Sequence, residues 1–295
     1  MRSSGFLPRY GENPDWRHSH FALAYDAWAP VDEEGDDAGK VPVQKQAGAG
    51  RPANERFREQ WLASLEGIGI DGDYAQAFRR WEESLAGTGA ATHRIELTSR
   101  LLVGHGNSSA TEVGLTVHHT WGVPIIPGSA LKGLCAHYAS ATDGSSNGMF
   151  AGPKWEKQRV TGSPGDYYRA LFGAPDVDDD ASGGLVTFHD ALYVPGTPAG
   201  PNANKPFAVD VLTVHQRAYY GQLEDQTQPG ERWPNDYDSP NPVGFVSVRP
   251  GTKFLLALSG KGEWPELALC LLTEAIGAWG AGGKTSAGYG RGTKA

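Results

Sequence analysis

The chain has little of what metal, redox and secreted proteins depend on. Its 295 residues hold only two cysteines, Cys135 and Cys270, and neither has a partner at metal-ligand spacing. That excludes a disulfide framework and a cysteine metal site, and two isolated thiols fit a reducing, cytoplasmic compartment. The opening MRSSGFLPRYGENPDW lacks the apolar run of a signal peptide. No uninterrupted apolar stretch is long enough to cross a bilayer, so no membrane partner is expected. HExxH, a Ser-His-Asp spacing and carboxylates in metal geometry are also missing. Asp176–Asp180 lacks the EF-hand pattern with its closing glutamate. Neither a metal nor a cofactor is expected.

Positive charge is scarce as well: 26 Lys and Arg against 34 Asp and Glu leave a net −8. The acidity is concentrated in VDEEGDDAG (Val31–Gly39), with five carboxylates, and DVDDD (Asp176–Asp180), with four. With those nine set aside, −8 becomes +1. Both runs read as solvated loops, so a basic groove elsewhere stays open.

The chain closes on GAWGAGGKTSAGYGRGTKA (Gly277–Ala295), where Gly283-Lys284-Thr285 resembles the end of a phosphate-binding P-loop. A P-loop needs a glycine five positions before that pair and a helix after it. Ala278 occupies the first position, and the residues after Thr285 are too rich in glycine for a helix. The P-loop reading fails on both counts.

The chain divides at about residue 90. Residues 1–90 form an N-terminal extension with a Gly/Pro-rich acidic loop and two amphipathic helices, Asn54–Leu65 and Tyr74–Leu85. Phe57, Trp61, Leu62 and Leu65 share one face, and Ala77, Phe78, Trp81 and Leu85 another. Residues 91–295 read as strand (HRIELTSRLLVG), helix (SALKGLCAHYASA) and strand (GLVTFHDALYV). A second strand (Lys253–Leu258), helix (Pro265–Ala278) and short strand follow. The first helix buries Leu131, Leu134, Cys135 and Tyr138; the second turns Leu267, Leu271, Ala275 and Ala278 inward. A long insertion, 195–251, interrupts them. The expected fold is α+β: a ferredoxin-like, RRM-like core with a long insertion and an N-terminal helical extension. The aromatic strand motif of ordinary RNA-recognition domains is absent.

Two stretches carry candidate chemistry. In VPIIPGSALKG (Val123–Gly133), Pro124 and Pro127 extend the approach, Gly128 turns the backbone and Ser129 stands as N-cap. Lys132 then sits where a capping box wants Glu or Gln. Either it is an exposed lysine, tolerated at a few tenths of a kcal/mol, or it joins the helix dipole in holding an external phosphate. The closing loop offers similar chemistry: Gly280, Gly282 and Gly283 free the backbone, Ser286 lies beside them, and Lys284 and Arg291 add charge. Together they suggest a polyanion lying across the domain.

Histidines supply a competing reading. His105 sits between glycines, and His118, His119 and His215 lie in loop-like segments. One could act as general base on a 2′-hydroxyl, with a lysine stabilising the charged transition state. Adjacent His118 and His119 would point to opposite faces of a strand and could not act as a pair.

GHGNSSATEVGLTVHHTWGVPIIPGSALKG, then DVLTVHQRAYY with SPNPVGFVSVRPGTKFLLAL, then GAWGAGGKTSAGYGRG, occur in this order. Together they resemble the RAMP superfamily of CRISPR effector proteins, and within it the sixth-subunit family of type III-B (Cmr) complexes. The similarity runs from about Ile95 to Gly292. It implies a non-catalytic RNA-binding structural subunit holding guide RNA near the 3′ end of a filament and helping to bind target RNA. The implied partners are the guide RNA and target RNA, the backbone RAMP subunit, the RAMP subunit capping the guide's 3′ end, and the small helical subunit. By the same resemblance Gly128, Ser129 and Lys132 contact the guide backbone, with Gly280–Gly290 alongside. The insertion resembles a thumb-like hairpin wedged into the guide–target duplex, which makes Tyr219, Tyr220 and Tyr237 candidates for stacking on bases. The alternative is a metal-independent RAMP endoribonuclease that processes precursor CRISPR RNA through a histidine.

Overall fold

The computed structural model describes residues 20–27, 60–107, 109, 113–142, 148–157, 159–176, 181–214 and 241–295. The elements are α1 (Gly72–Thr88), β1 (Ala91–Leu97), β2 (Ile125–Ile126), α2 (Gly128–Thr142), β3 (Lys154–Glu156) and β4 (Arg159–Gly162). Next come α3 (Asp166–Phe172), β5 (Gly173–Ala174), β6 (Ser182–Gly183), β7 (Val186–Phe188), β8 (Ala191–Tyr193) and β9 (Phe207–Val214). Last are β10 (Asn241–Val248), β11 (Lys253–Gly260), α4 (Trp264–Ala278) and β12 (Gly292–Lys294). The residues fall into two compact units. The larger takes 69–107, 114–206 and 248–295; the smaller takes the described parts of 1–68, 108–113 and 207–247. The expected second N-terminal helix, α1, therefore belongs with the larger unit.

That unit is α+β, built on an antiparallel sheet in the order β12-β1-β11-β8-β2, with β7 also paired to β11. β11 is the central strand, and Phe254–Leu258 are buried without a break, so both its faces are covered. β1 alternates instead, with Ala91, Ile95 and Leu97 inward. Its register on β11 runs from Ala91 opposite Leu258 to Glu96 opposite Lys253, and the last pair closes in an ion pair at 3.1 Å.

α1 starts on Asp71, whose carboxylate accepts from the Asp73 N–H at 3.1 Å, and ends on Gly89 in the left-handed region. Tyr74, Phe78 and Leu85 are its buried positions, while Ala77 and Trp81 are half-buried. The Tyr74 hydroxyl donates to the Tyr193 carbonyl at 2.6 Å, and burial raises both phenols above the ordinary tyrosine value.

Two expectations shift here. GLVTFHDALYV is two short strands rather than one, broken at His189-Asp190. The His189 N–H still bonds the Ala257 carbonyl, while the Asp190 carboxylate turns away to accept from the Gly128 N–H at 2.7 Å. α4 buries Pro265, Ala268, Leu269, Leu272, Ala275 and Ile276, so Leu267 and Leu271 are half-buried and Ala278 is exposed. A helix apolar on most sides carries no sharp period, and here α2 and the sheet choose its face. In α2 the buried positions are Gly128, Leu131, Cys135 and Ala139; burial pushes the Cys135 thiol up to about 12.

The smaller unit is held by aromatics. Phe21 stacks on Phe207 with centroids 3.5 Å apart and on Tyr25 at 5.5 Å, and Tyr25 stacks on Trp61 at 6.2 Å. Residues 60–65 are helical, and Trp61, Leu62 and Leu65 are buried as the pattern predicts; 54–59 lie outside the described residues. β9 pairs with β10, and the Glu66 carboxylate accepts from the Val209 N–H at 2.6 Å. Val31–Gly39, 177–180, His215, Tyr219, Tyr220 and Tyr237 also lie outside the described residues. No helix among the described residues is long and apolar enough to cross a membrane.

Candidate nucleic-acid interface

The closing loop begins where α4 runs out. Its amides divide into two sets. Those of Gly280, Ala281, Gly283 and Gly290 are used internally, on carbonyls of the α4 end, Gly290, Leu102 and Arg100. Those of Gly282, Lys284, Thr285 and Ser286 have no acceptor among the described residues. The loop is thus stitched to the 100–102 segment and keeps a short run of free donors. Gly290 shows why glycine is needed: φ is +76°, and a Cβ there would overlap the Ala281 carbonyl oxygen. After Lys284, itself left-handed at φ +56°, the chain makes only one 3-10 turn, Thr285–Ala287, in place of the helix a P-loop requires.

Arg291 is held from two sides. Its N–H donates to Ser99 Oγ at 2.9 Å, and its guanidinium donates to the Gly277 carbonyl at 3.1 Å, near the negative end of α4. The remaining guanidinium donors stay available.

Facing the loop is one side of α2. Ala130, Gly133, Leu134 and His137 form a wall, with Trp279, Gly280, Gly282, Thr285, Ser286 and Arg291 opposite, around an open cleft of about 540 Å³. The His137 ring meets Trp279 edge-on at 5.1 Å, and Tyr138 does so at 5.2 Å. No carboxylate among the described residues lines the cleft. The free amides of Gly282, Thr285 and Ser286 and a fixed arginine suit a phosphate backbone laid along the surface.

The structure brings Gly280, Gly282, Ser286 and Arg291 together in the cleft. Gly283 packs beneath it against Leu102 and His105. Lys284 stands close enough to His105 to lower the histidine's pKa, though burial is the larger cause. Lys132 is half-buried on α2 and does not line the cleft.

The PGSALKG end is built differently from its sequence reading. α2 begins at Gly128, with the Pro127 carbonyl accepting from Ala130 and Leu131, so Ser129 lies inside the first turn and is not the N-cap. The Asp190 carboxylate meets the helix N-terminus, a long-range partner that local sequence cannot show. Gly128 is buried because a Cβ there would overlap the Phe188 carbonyl oxygen, so it lets α2 pack onto β7. His118 lies in a tight turn closed by the Gly122 N–H on its carbonyl, and His119 is exposed in the same turn. No group of three or more His, Cys, Asp or Glu among the described residues is placed to hold a metal ion.

His137 and Trp279 line the cleft but were not singled out from the sequence. For His137 the signal was the run Ala130, Gly133, His137 at spacings of three and four along α2, a second stripe beside the core one.

The sequence model of the RAMP superfamily matches residues 94–292, from β1 to the start of β12. The chain belongs to the RAMP superfamily. The match takes in the sheet, both helices flanking the cleft and the closing loop. This RAMP chain is similar to the CRISPR system Cmr subunit Cmr6 of Pyrococcus furiosus, 29% identical over 253 residues, 74% of this chain and 72% of that protein. It is similar in fold to a chain in the cryo-EM structure of the type III-B Cmr-beta bound to cognate target RNA. That match has a TM-score of 0.55 and 18% identity, covering 82% of this chain and 72% of the other. The crystal structure of Cmr6 from Pyrococcus furiosus matches 70% of this chain and 98% of its own, with 27% identity and a TM-score of 0.43.

Proposed function

We propose that this chain is a non-catalytic, RNA-binding structural subunit of a type III-B CRISPR effector. It holds guide RNA near the 3′ end of a cytoplasmic filament and helps to bind target RNA. The observation that carries this reading is the cleft between α2 and the closing loop, with its free amides, its anchored Arg291 and no carboxylate among the described residues. Such a cleft grips phosphates without reading bases, as a complex accepting many guides requires; pairing between guide and target supplies specificity. The similarity to Cmr6 supports the same reading. The strand order β12-β1-β11-β8 supports a ferredoxin-like core over 91–295, with 195–251 as its thumb-like insertion. In this assembly the neighbours are the backbone RAMP subunit, the RAMP subunit capping the guide's 3′ end and the small helical subunit.

The test is guide retention in the assembled complex. Arg291→Glu is expected to lower guide occupancy and to reduce the slope of log K against log salt, by about 0.7 per lost phosphate contact on a single strand. Unchanged occupancy and slope would remove the cleft from the RNA path. Specific, metal-independent cleavage of repeat-containing RNA by the chain alone, abolished by His118→Ala, His119→Ala or His215→Ala, would make it the processing endoribonuclease instead.

A further inference from the structure

β3 and β4 form a small hairpin on the larger unit, and every residue of β3 is exposed. Trp155 is 61% exposed, the most exposed large apolar side chain among the described residues. Its cross-strand partner is Val160, so the indole stands on one face with little beside it. Lys157 follows in the turn, exposed; Lys154, Glu156 and Arg159, also exposed, alternate onto the other face of the ribbon, where Glu156 faces Arg159 across the ladder.

The hairpin has a fixed base. The Gly152 N–H donates to Ser140 Oγ at 2.9 Å, and the Gly165 N–H bonds the Ala151 carbonyl at 2.9 Å. Ser140 belongs to α2, and Gly133, His137 and Ser140 follow one another at spacings of four and three along one face. The first two line the cleft, and the third carries the hairpin, about 10 Å along the helix from Gly133 and about 4.5 Å from His137. A strand leaving the cleft along this face reaches the hairpin within a nucleotide or two.

An exposed apolar ring on one face of a tethered hairpin, with a cation in the adjoining turn and more on the other face, is the composition of a stacking platform for a single strand: the π-face takes any base and the cations take the phosphates. A partner protein's apolar pocket would be met by a wider apolar patch, and here only a half-buried valine accompanies the indole.

We propose that Trp155 is a base-stacking platform for a single-stranded RNA segment leaving the cleft, with Lys157 in the adjoining turn on a flanking phosphate. This rests on the RNA-binding reading of the cleft and adds to it a contact with bases.

The experiment uses the full-length chain and a fluorescein-labelled single-stranded RNA of mixed sequence carrying 4-thiouridine. Trp155→Ala should weaken binding roughly 5- to 100-fold, leave the salt slope unchanged and abolish a photo-adduct on the peptide containing Trp155. Trp155→Phe should restore most of the affinity, which loss of an uncharged structural contact would not predict. Arg291→Glu is the separate arm, because it lowers both affinity and salt slope through the cleft. If that arm weakens binding while Trp155→Ala binds normally and no adduct forms, the platform is wrong and the cleft stands. If neither arm changes binding, both are wrong. In the assembled complex, a benzophenone side chain at position 155 should cross-link to RNA; cross-linking to a protein subunit would overturn the proposal.

Discussion

Gly290→Ala tests the architecture of the closing loop. Residue 290 sits at φ +76°, where a side chain costs about 1–2 kcal/mol. Its Cβ would overlap the Ala281 carbonyl oxygen, so the loop must move. Movement strains two backbone bonds, Ala281 N–H to the Gly290 carbonyl at 2.9 Å and Gly290 N–H to the Arg100 carbonyl at 2.7 Å. Each is worth about 0.5–1.5 kcal/mol. The expected loss is about 2–5 kcal/mol, a large part of a typical folding free energy and a fall of roughly 5–15 °C in Tm. Gly283→Ala is the control: its φ is not in the left-handed region, and the nearest atom to a new Cβ is Leu102 O at 3.5 Å, an ordinary contact. That variant should stay within about 0.5 kcal/mol of wild type. Calorimetry gives the Tm values, and fluorescence anisotropy with labelled RNA gives binding. Gly290→Ala is expected to lose both, and Gly283→Ala to keep its fold. Equal Tm values for the two variants would refute the stitched-loop geometry.

Two further outcomes follow from the same structure. Asp190→Ala leaves the Gly128 N–H without its acceptor and should cost about 1–2 kcal/mol in thermal melts, with Asp190→Asn costing less because it keeps an oxygen there. His93 and His105 are both held below the ordinary 6.5, by burial first and then by Lys294 and Lys284 respectively. As pH falls, the unfolded chain protonates these rings before the folded one. The stability they contribute is therefore complete above about pH 6.5 and is lost below it. Lys284→Gln should raise the His105 pKa in an NMR titration, and an unmoved His105 would separate the two side chains.

Periodic segments were legible in advance. α1, α2 and β11 appear where apolar spacing put them, within two or three residues at each end, because a half-buried element writes its own period into the chain; β1 begins two residues earlier than read and stops at Leu97, well short of Gly104. The phase of α4 was not legible, since Leu, Ala, Cys and Ile occupy most of its sides and only its neighbours decide which face is covered. The strand break at His189-Asp190 was hidden for a related reason: Asp190 leaves the ladder for a donor sixty-two residues away.

By itself the sequence determined the family, through an ordered set of motifs, and it marked PGSALKG and the closing loop as the stretches to watch. It also excluded the P-loop, by a count of positions. Tertiary structure decided how those stretches are built. It makes Gly128 a packing glycine, fills the α2 N-terminus with Asp190, and commits the Gly280 and Gly283 amides to internal carbonyls. It leaves Gly282, Lys284, Thr285 and Ser286 as donors, anchors Arg291, and sets His137 and Trp279 in the walls. The physical reason is hydrogen-bond accounting: which backbone groups remain free for a ligand depends on partners distant in sequence, and local composition carries no record of them.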